Sequence, residues 1–349
     1  MVSTLEYESA QQAGSIFLPE LEQGNFSRSV LRAALQARGT LQEQLFALAR
    51  QRRDECYPGR EVEARSVIEL SNVCMQTCNY CSMAKGSGIK RYVMPAEAVI
   101  QNATYLYEHG RRVVLLQSGE NRSKGWLDYV TKCVKEMKTL HPDLEVILCL
   151  GNLSDEQYIQ LKEAGADRYI IKFESGTAEL YETWKPSDTL EERLACVRSL
   201  ERIGFKVGSG NMVGMPGQTV EHIIDDLLLL GEFKLTMNSC TVFIPGENCG
   251  YKDEPMGDVD TALNSMALMR ILYPERLMPT TSCLERARPG GQHLGLMAGA
   301  NTVTVHDGTP EKFKIMFPIY STKRFAPDNR HLLEAVEKAN LTISSHPLQ

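Results

Sequence analysis

The chain has 349 residues, 43% hydrophobic and 23% charged, with a formal net charge of -6. That length fits one large α/β barrel or two smaller domains, with a core that needs no covalent staples. The mild acidity, with no basic half or tail, argues against a nucleic-acid partner, and no run reaches the roughly 18 apolar residues of a membrane span.

The opening stretch, MVSTLEYESAQQAGSIFLPELEQ, is acidic and lacks the basic start and apolar run of a secretory signal. The expected compartment is the cytoplasm, away from membranes, where thiols stay reduced. Residues 1–26 read as loose. Over residues 27–56, Val30, Leu31, Leu35, Leu41, Leu45 and Leu48 recur at helical spacing, predicting two helices broken near Gly39-Thr40.

From residue 62 onward, short β-branched runs alternate with amphipathic segments. The runs are VIEL (67–70), RVVLLQ (112–117), EVILCL (145–150), RYIIKF (168–173), KVGSGNMVG (206–214), TVFIP (241–245), LMPTT (277–281) and NTVTV (301–305). Capping boxes are expected at Ser154 with Gln157 and at Thr189 with Glu192, and helix ends at Gly110, Gly165 and Gly204. Eight strands alternating with helices predict parallel pairing in an α/β fold, a (β/α)8 TIM-type barrel, complete or nearly so. An open doubly wound sheet is the alternative, but its Gly-x-Gly-x-x-Gly turn is absent after the first strand. The expected division is an N-terminal extension with helices (1–56), the barrel (57–320) and a C-terminal extension with one helix, HLLEAVEKAN (321–349).

Barrel chemistry lies at the C-terminal ends of strands. Cys74 follows the first strand, Ser118-Gly119-Glu120 the second, Glu174-Ser175 the fourth and Gly214 the fifth, while Thr280-Thr281 end the seventh. Of ten cysteines, seven are scattered and read as small buried hydrophobes. Cys74, Cys78 and Cys81 are clustered as Cys-x3-Cys-x2-Cys. Structural zinc usually takes four ligands, and the first histidine after the motif is His109, a full helix away. Three cysteines suit a [4Fe-4S] cluster with one iron left open, although zinc stays open on spacing alone.

At this spacing the motif resembles the radical S-adenosylmethionine (SAM) superfamily. The resemblance implies one [4Fe-4S] cluster whose open iron chelates SAM, and one-electron cleavage to a 5′-deoxyadenosyl radical that takes hydrogen from a substrate. It also implies a low-potential electron donor. Tyr80 matches an aromatic residue packed by the adenine. LQSGEN resembles the segment that places Ser118, Gly119 and Glu120 near the methionyl ammonium. Glu174 matches a ribose-binding acid, and Arg193 a residue that meets the SAM carboxylate. NMVGMPGQT, with Met212 and Gly214, looks like the turn that passes close to the cofactor.

Further runs, IELSNVCMQTCNYC, AGADRYIIKFES, FIPGENC, MPTTSC and PGGQHLGLMAGANTVTV, resemble the iron–iron hydrogenase maturase HydE. That family lies in the group with biotin synthase and the methylornithine synthase PylB. A sulfur-donating second cluster of the biotin synthase kind is not expected: Gly208 stands at its strand-five position, and Cys149 is offset by two residues. The resemblance implies a small amino-acid-like substrate, with Lys172, Thr280 and Thr281 on its side. Lys172-Phe173 departs from the Arg-His pair of HydE, so a PylB-like amino-acid mutase is the alternative. A non-enzymatic iron–sulfur scaffold is the remote third. Room for a substrate predicts small or polar residues along the barrel axis, with Ser209, Asn211, Thr241, Thr280, Thr281 and Thr302 as candidates.

Overall fold

The computed structural model describes residues 17–318 and 327–349. Residues 1–16 of the segment read as loose, and the boundary expected at residue 320, lie outside the described residues. Eight parallel strands form the barrel wall: β1 (Glu61–Ser71), β2 (Val113–Ser118), β3 (Glu145–Cys149), β4 (Arg168–Ile170), β5 (Lys206–Val213), β6 (Met237–Val242), β7 (Pro279–Thr280) and β8 (Thr302–Val305). They pair in the order β6-β5-β4-β3-β2-β1-β8-β7. Between β6 and β7 the ladder shrinks to one bridge, Met237 to Leu277, where the Asn238 N–H donates to Leu277 O at 2.9 Å. Strand β7 has two residues, and its first, Pro279, has no N–H for a longer ladder. The result is a nearly closed (β/α)8 barrel, as the alternation predicts.

Helices cover the outside. Ser154 and Gln157 form the expected reciprocal capping box. Thr189 accepts the Glu192 N–H at the next expected start. A box at Thr219 and His222 was not anticipated, because histidine replaces the usual Glu or Gln. The helices Arg28–Leu35 and Thr40–Cys56 separate at Gly39, and both pack on the helix Val259–Leu272. There the buried Asn264 amide donates to Leu35 O at 3.0 Å and to Ala37 O at 2.9 Å, satisfying carbonyls left free at the first helix's end.

Strand β1 begins six residues before the apolar run that predicted it. Glu63 and Arg65 lie in the added part, ahead of that run, yet both are buried inside the barrel. Burial is tolerated because the charges pair: Arg65 Nε donates to Glu63 at 2.6 Å, Arg168 donates to Glu63 at 2.8 Å, and Arg168 also meets Glu145. Below this floor the chain end closes the barrel. A ninth strand, β9 (Thr342–Ile343), pairs parallel with the start of β1. Beyond it Leu348 packs on Met237 and Leu277, its N–H donating to Glu63 and its carbonyl accepting from Arg168, each at 2.9 Å. The sequence predicted only the helix of this segment, observed at Asn329–Lys338.

Between β4 and the helix Leu190–Ile203 lies a short helix, Ala178–Trp184, also unpredicted. It matters because it supports the cysteine loop.

Candidate functional site

A cavity of about 320 Å³ opens at the C-terminal ends of the strands, and Cys74, Cys78 and Cys81 all line it. Their loop is stapled on two sides. Against the short helix and the turn that follows it, the Asn79 N–H donates to Trp184 O at 2.8 Å and the Thr77 N–H to Ser187 Oγ at 2.9 Å. Against the loop's own exit, Arg91 donates to the carbonyls of Asn72, Met83 and Ala84 at 2.5, 2.8 and 2.7 Å. Gly119 lies so close below that a Cβ there would strike Val73 O and Cys74 Cβ.

Burial pushes the thiols up, Cys78 to about 11, while Lys185 pulls Cys78 the other way. Among the described residues, no three His, Cys, Asp or Glu side chains gather where one metal ion could bind. A single zinc needs its ligands about 2.0 to 2.3 Å from one point. A cluster spreads its thiolates over separate irons, so three cysteines around one cavity mouth fit it better than one ion.

The turn after β2 places Glu120 inward, 4% exposed. Its carboxylate accepts from Gln76 at 2.7 Å, Arg122 at 2.6 Å and the Asn152 N–H at 3.0 Å. Ser118 Oγ donates to Gly119 O at 2.7 Å. Arg193 also lines the cavity. Its Nε donates to Tyr181 Oη at 2.8 Å and its Nη2 to Asp188 at 2.9 Å. Lys185 shares Asp188 at 2.9 Å, and Asn152 donates to the other Asp188 oxygen. Burial alone would raise the Asp188 carboxyl; Lys185 and Arg193 outweigh it and hold it at about 2.

On the opposite wall Glu174 adopts φ 61, a left-handed conformation uncommon for a residue with a Cβ. Hydrogen bonds to β5 hold it there: its N–H donates to Gly210 O at 3.0 Å and its carbonyl accepts from Met212 at 2.9 Å. Just beyond, the buried Asp226 carboxylate accepts the Gly176 N–H at 2.6 Å and the Asn211 amide at 3.2 Å. The Glu174 side chain meets Lys172 at 2.9 Å, and Lys172 donates to Thr241 Oγ1 at 2.7 Å. Tyr80 and Met212 line the cavity and pack against the buried Trp184 and Phe243 behind them.

Twelve of the fourteen sequence-predicted site residues line the cavity. Gly214 and Thr280 do not. At φ 89, Gly214 packs on Gly257, where a Cβ would collide; its role is to let two loops touch. Thr280 lies behind β7, with Gly295 and Gln292 of the outer helix against it, because neighbouring strand residues face opposite ways and Thr281 takes the inward place. The same alternation corrects the predicted axis. Thr241 faces the cavity, whereas Ser209 Oγ donates to Ile171 O and Asn211 reaches Asp226 outside. Thr302 pairs with Glu63 near the floor, below the cavity lining.

Sequence reasoning missed Arg65, Lys185, Asp188, Ser282 and His306. Strand parity through NTVTVH would have placed His306 inward two residues after Thr304. Arg65 has both Nη atoms buried without a hydrogen-bond partner among the described residues, and it lines the cavity. The cavity thus offers an arginine and a lysine to an anionic group.

The radical SAM superfamily model matches residues 68–230. The chain is 36% identical to the [FeFe] hydrogenase maturase subunit HydE of Thermotoga maritima, over 89% of this chain and 88% of that protein. It is 32% identical to biotin synthase 2 of Frankia casuarinae, over 69% of this chain and 66% of that protein. In fold it is similar to the crystal structure of methylornithine synthase PylB, with a TM-score of 0.79 and 21% identity, covering 95% of this chain and 97% of that one. The maturase HydG from Carboxydothermus hydrogenoformans gives a TM-score of 0.81 at 17% identity, covering 97% and 80%. No helix among the described residues is long and apolar enough to cross a membrane. The chain belongs to the radical SAM superfamily of [4Fe-4S] and SAM enzymes, in the group that holds HydE, biotin synthase and PylB.

Proposed function

We propose that this enzyme acts on a small amino-acid-like substrate in a HydE-type step of hydrogenase cofactor maturation, in the cytoplasm. The observation that carries the reading is 36% identity to HydE along nearly the whole of both chains. The cavity supports it: Arg65 and Lys172 suit a carboxylate, and Thr241, Ser239 and Thr281 add hydroxyls.

In this reading Cys74, Cys78 and Cys81 hold three irons. When bound, the cluster and SAM supply a carbon radical able to take hydrogen from a substrate. The chain's own residues orient and enclose. Arg193, its charge balanced by Asp188, meets the SAM carboxylate. Glu174 takes the ribose hydroxyls, and Tyr80 and Met212 cover the adenine. Glu120, held in place by Gln76, Arg122 and Asn152, faces the methionyl ammonium together with the Ser118-Gly119 backbone. Thr281 and Lys172 lie on the substrate side.

The test replaces HydE with this chain in an otherwise complete [FeFe] hydrogenase maturation assay and reads hydrogen evolution. Restored evolution above a no-HydE control is expected. No evolution, together with formation of an isomer from lysine, would overturn the maturation reading in favour of a mutase.

A further inference from the structure

On the β7–β8 side of the cavity, three polar side chains form a connected row. Glu69, on β1, is fully buried. His306, just past β8, places Nδ1 2.9 Å from Glu69 Oε1 and Nε2 3.0 Å from Ser282 Oγ. The His306 ring is 4% exposed, and both His306 and Ser282 line the cavity. Glu120, Glu174 and Arg193 come from the β2–β5 arc, whereas the row is built on β1, β7 and β8 and so lines a different part of the barrel mouth, with Cys74 beyond the end of β1 between them.

The backbone fixes the row. The Glu69 N–H donates to Thr309 Oγ1 at 2.8 Å, Glu69 O accepts from Tyr92 Oη at 2.8 Å, and the His306 N–H donates to Pro327 O at 2.9 Å. A carboxylate on Nδ1 selects the tautomer with its proton there, leaving Nε2 to accept. Ser282 then donates to Nε2, and its oxygen can accept from a molecule in the cavity. A brace between strands would need only Glu69 and His306; the row extends by one hydroxyl into the cavity.

We propose that Glu69, His306 and Ser282 are a proton relay serving the substrate. This rests on the amino-acid-like substrate read above and narrows it: the substrate carries an ionisable N–H or S–H close to its reacting carbon. In the step, that bond breaks and its electron pair stays on the substrate nitrogen or sulfur. The proton goes to Ser282 Oγ as the Ser282 proton goes to His306 Nε2, and Glu69 balances the imidazolium. Nothing is oxidised or reduced. Among the described residues, the other charged or ionisable groups around the row include Arg65 on β1, Lys172 beyond β4, Cys283 beyond β7 and Tyr92, which donates to Glu69 O, while Asp307 turns to Arg111 at 3.1 Å.

Imidazole ¹⁵N resonances of the reduced-thiol holoenzyme, assigned through His306→Gln, test the relay without a substrate. The His306 signal is expected to titrate between pH 5 and 9 and to move to lower pH in Glu69→Gln. A signal held in one protonation state throughout would overturn the proposal. The second arm uses the common L-amino acids as probes of 5′-deoxyadenosine formation. His306→Gln is expected to cut the amino-acid-stimulated rate about 100-fold and to remove its acid limb, with SAM affinity by calorimetry held within about twofold. Equal loss of SAM affinity would mark a brace, not a relay. If SAM is cleaved and no amino acid stimulates, the substrate reading fails, and the titration still decides the relay.

Discussion

Arg193 Nη2 lies 2.9 Å from Asp188 Oδ2, inside the cavity wall, and Lys185 reaches the same oxygen at 2.9 Å. One anion therefore holds two buried cations beside the cysteine loop. Asp188→Asn leaves both cations without that charge. A stability loss of about 3 kcal/mol is expected in denaturant melts at pH 7, with weaker SAM binding by calorimetry. The Asp188 carboxyl is held at about 2, below its ordinary value of 3.8. Its contribution is present above pH 3.8 and lost as pH falls toward 2. The variant lacks that acid-side loss; an unchanged acid limb would contradict the pairing.

Asp226 carries the opposite sign. Burial raises its carboxyl to about 7, although the Gly176 N–H and Asn211 amide favour its charge. Its stabilising contribution is present below pH 3.8 and is lost as pH rises through about 7, with a full swing of about 4 kcal/mol. Asp226→Asn keeps an acceptor for Gly176. It is expected to flatten stability between pH 5 and 8, read by thermal melts across that range, and to gain stability over the wild type at pH 8.

Arg91 joins three carbonyls of the cysteine loop. Arg91→Ala frees them, at a cost of about 1 to 3 kcal/mol. Faster loss of iron and acid-labile sulfide under chelator is expected, with far-ultraviolet circular dichroism unchanged. Cluster retention equal to the wild type would show that the Trp184 side alone holds the loop.

Gly119→Ala and Gly125→Ala separate packing from helix propensity. At Gly119 a Cβ meets backbone oxygen, whereas at Gly125 nothing lies within 4 Å. The first change is expected to lower stability by about 2 to 3 kcal/mol and to disturb cluster assembly. The second, in the first turn of the helix Lys124–Leu140, is expected to raise stability by about 0.5 kcal/mol.

Strand order, helix starts and the cysteine loop were legible because they depend on local pattern. Apolar runs mark β2, β3 and β5, and Cys-x3-Cys-x2-Cys is contiguous. The charged floor was hidden because Glu63 and Arg65 look like surface residues until Arg168 and Glu145, more than seventy positions away, neutralise them. Side-chain facing was only half legible. Parity separates Thr280 from Thr281, but the parity of β7 is fixed by its neighbour β8, not by its own two residues. Glu120 was legible from its motif, and it lines the cavity, but the Gln76 and Asn152 partners that orient its carboxylate were not, because they come from other loops.

Reductive SAM cleavage tests the role of the three cysteines most directly. Wild-type protein and Cys78→Ala would be reconstituted anaerobically with iron and sulfide, reduced, and assayed for 5′-deoxyadenosine and methionine. Formation of both products by the wild type, with none from the variant, is the expected result. A wild type that holds iron and sulfide but releases no more 5′-deoxyadenosine than Cys78→Ala would contradict it.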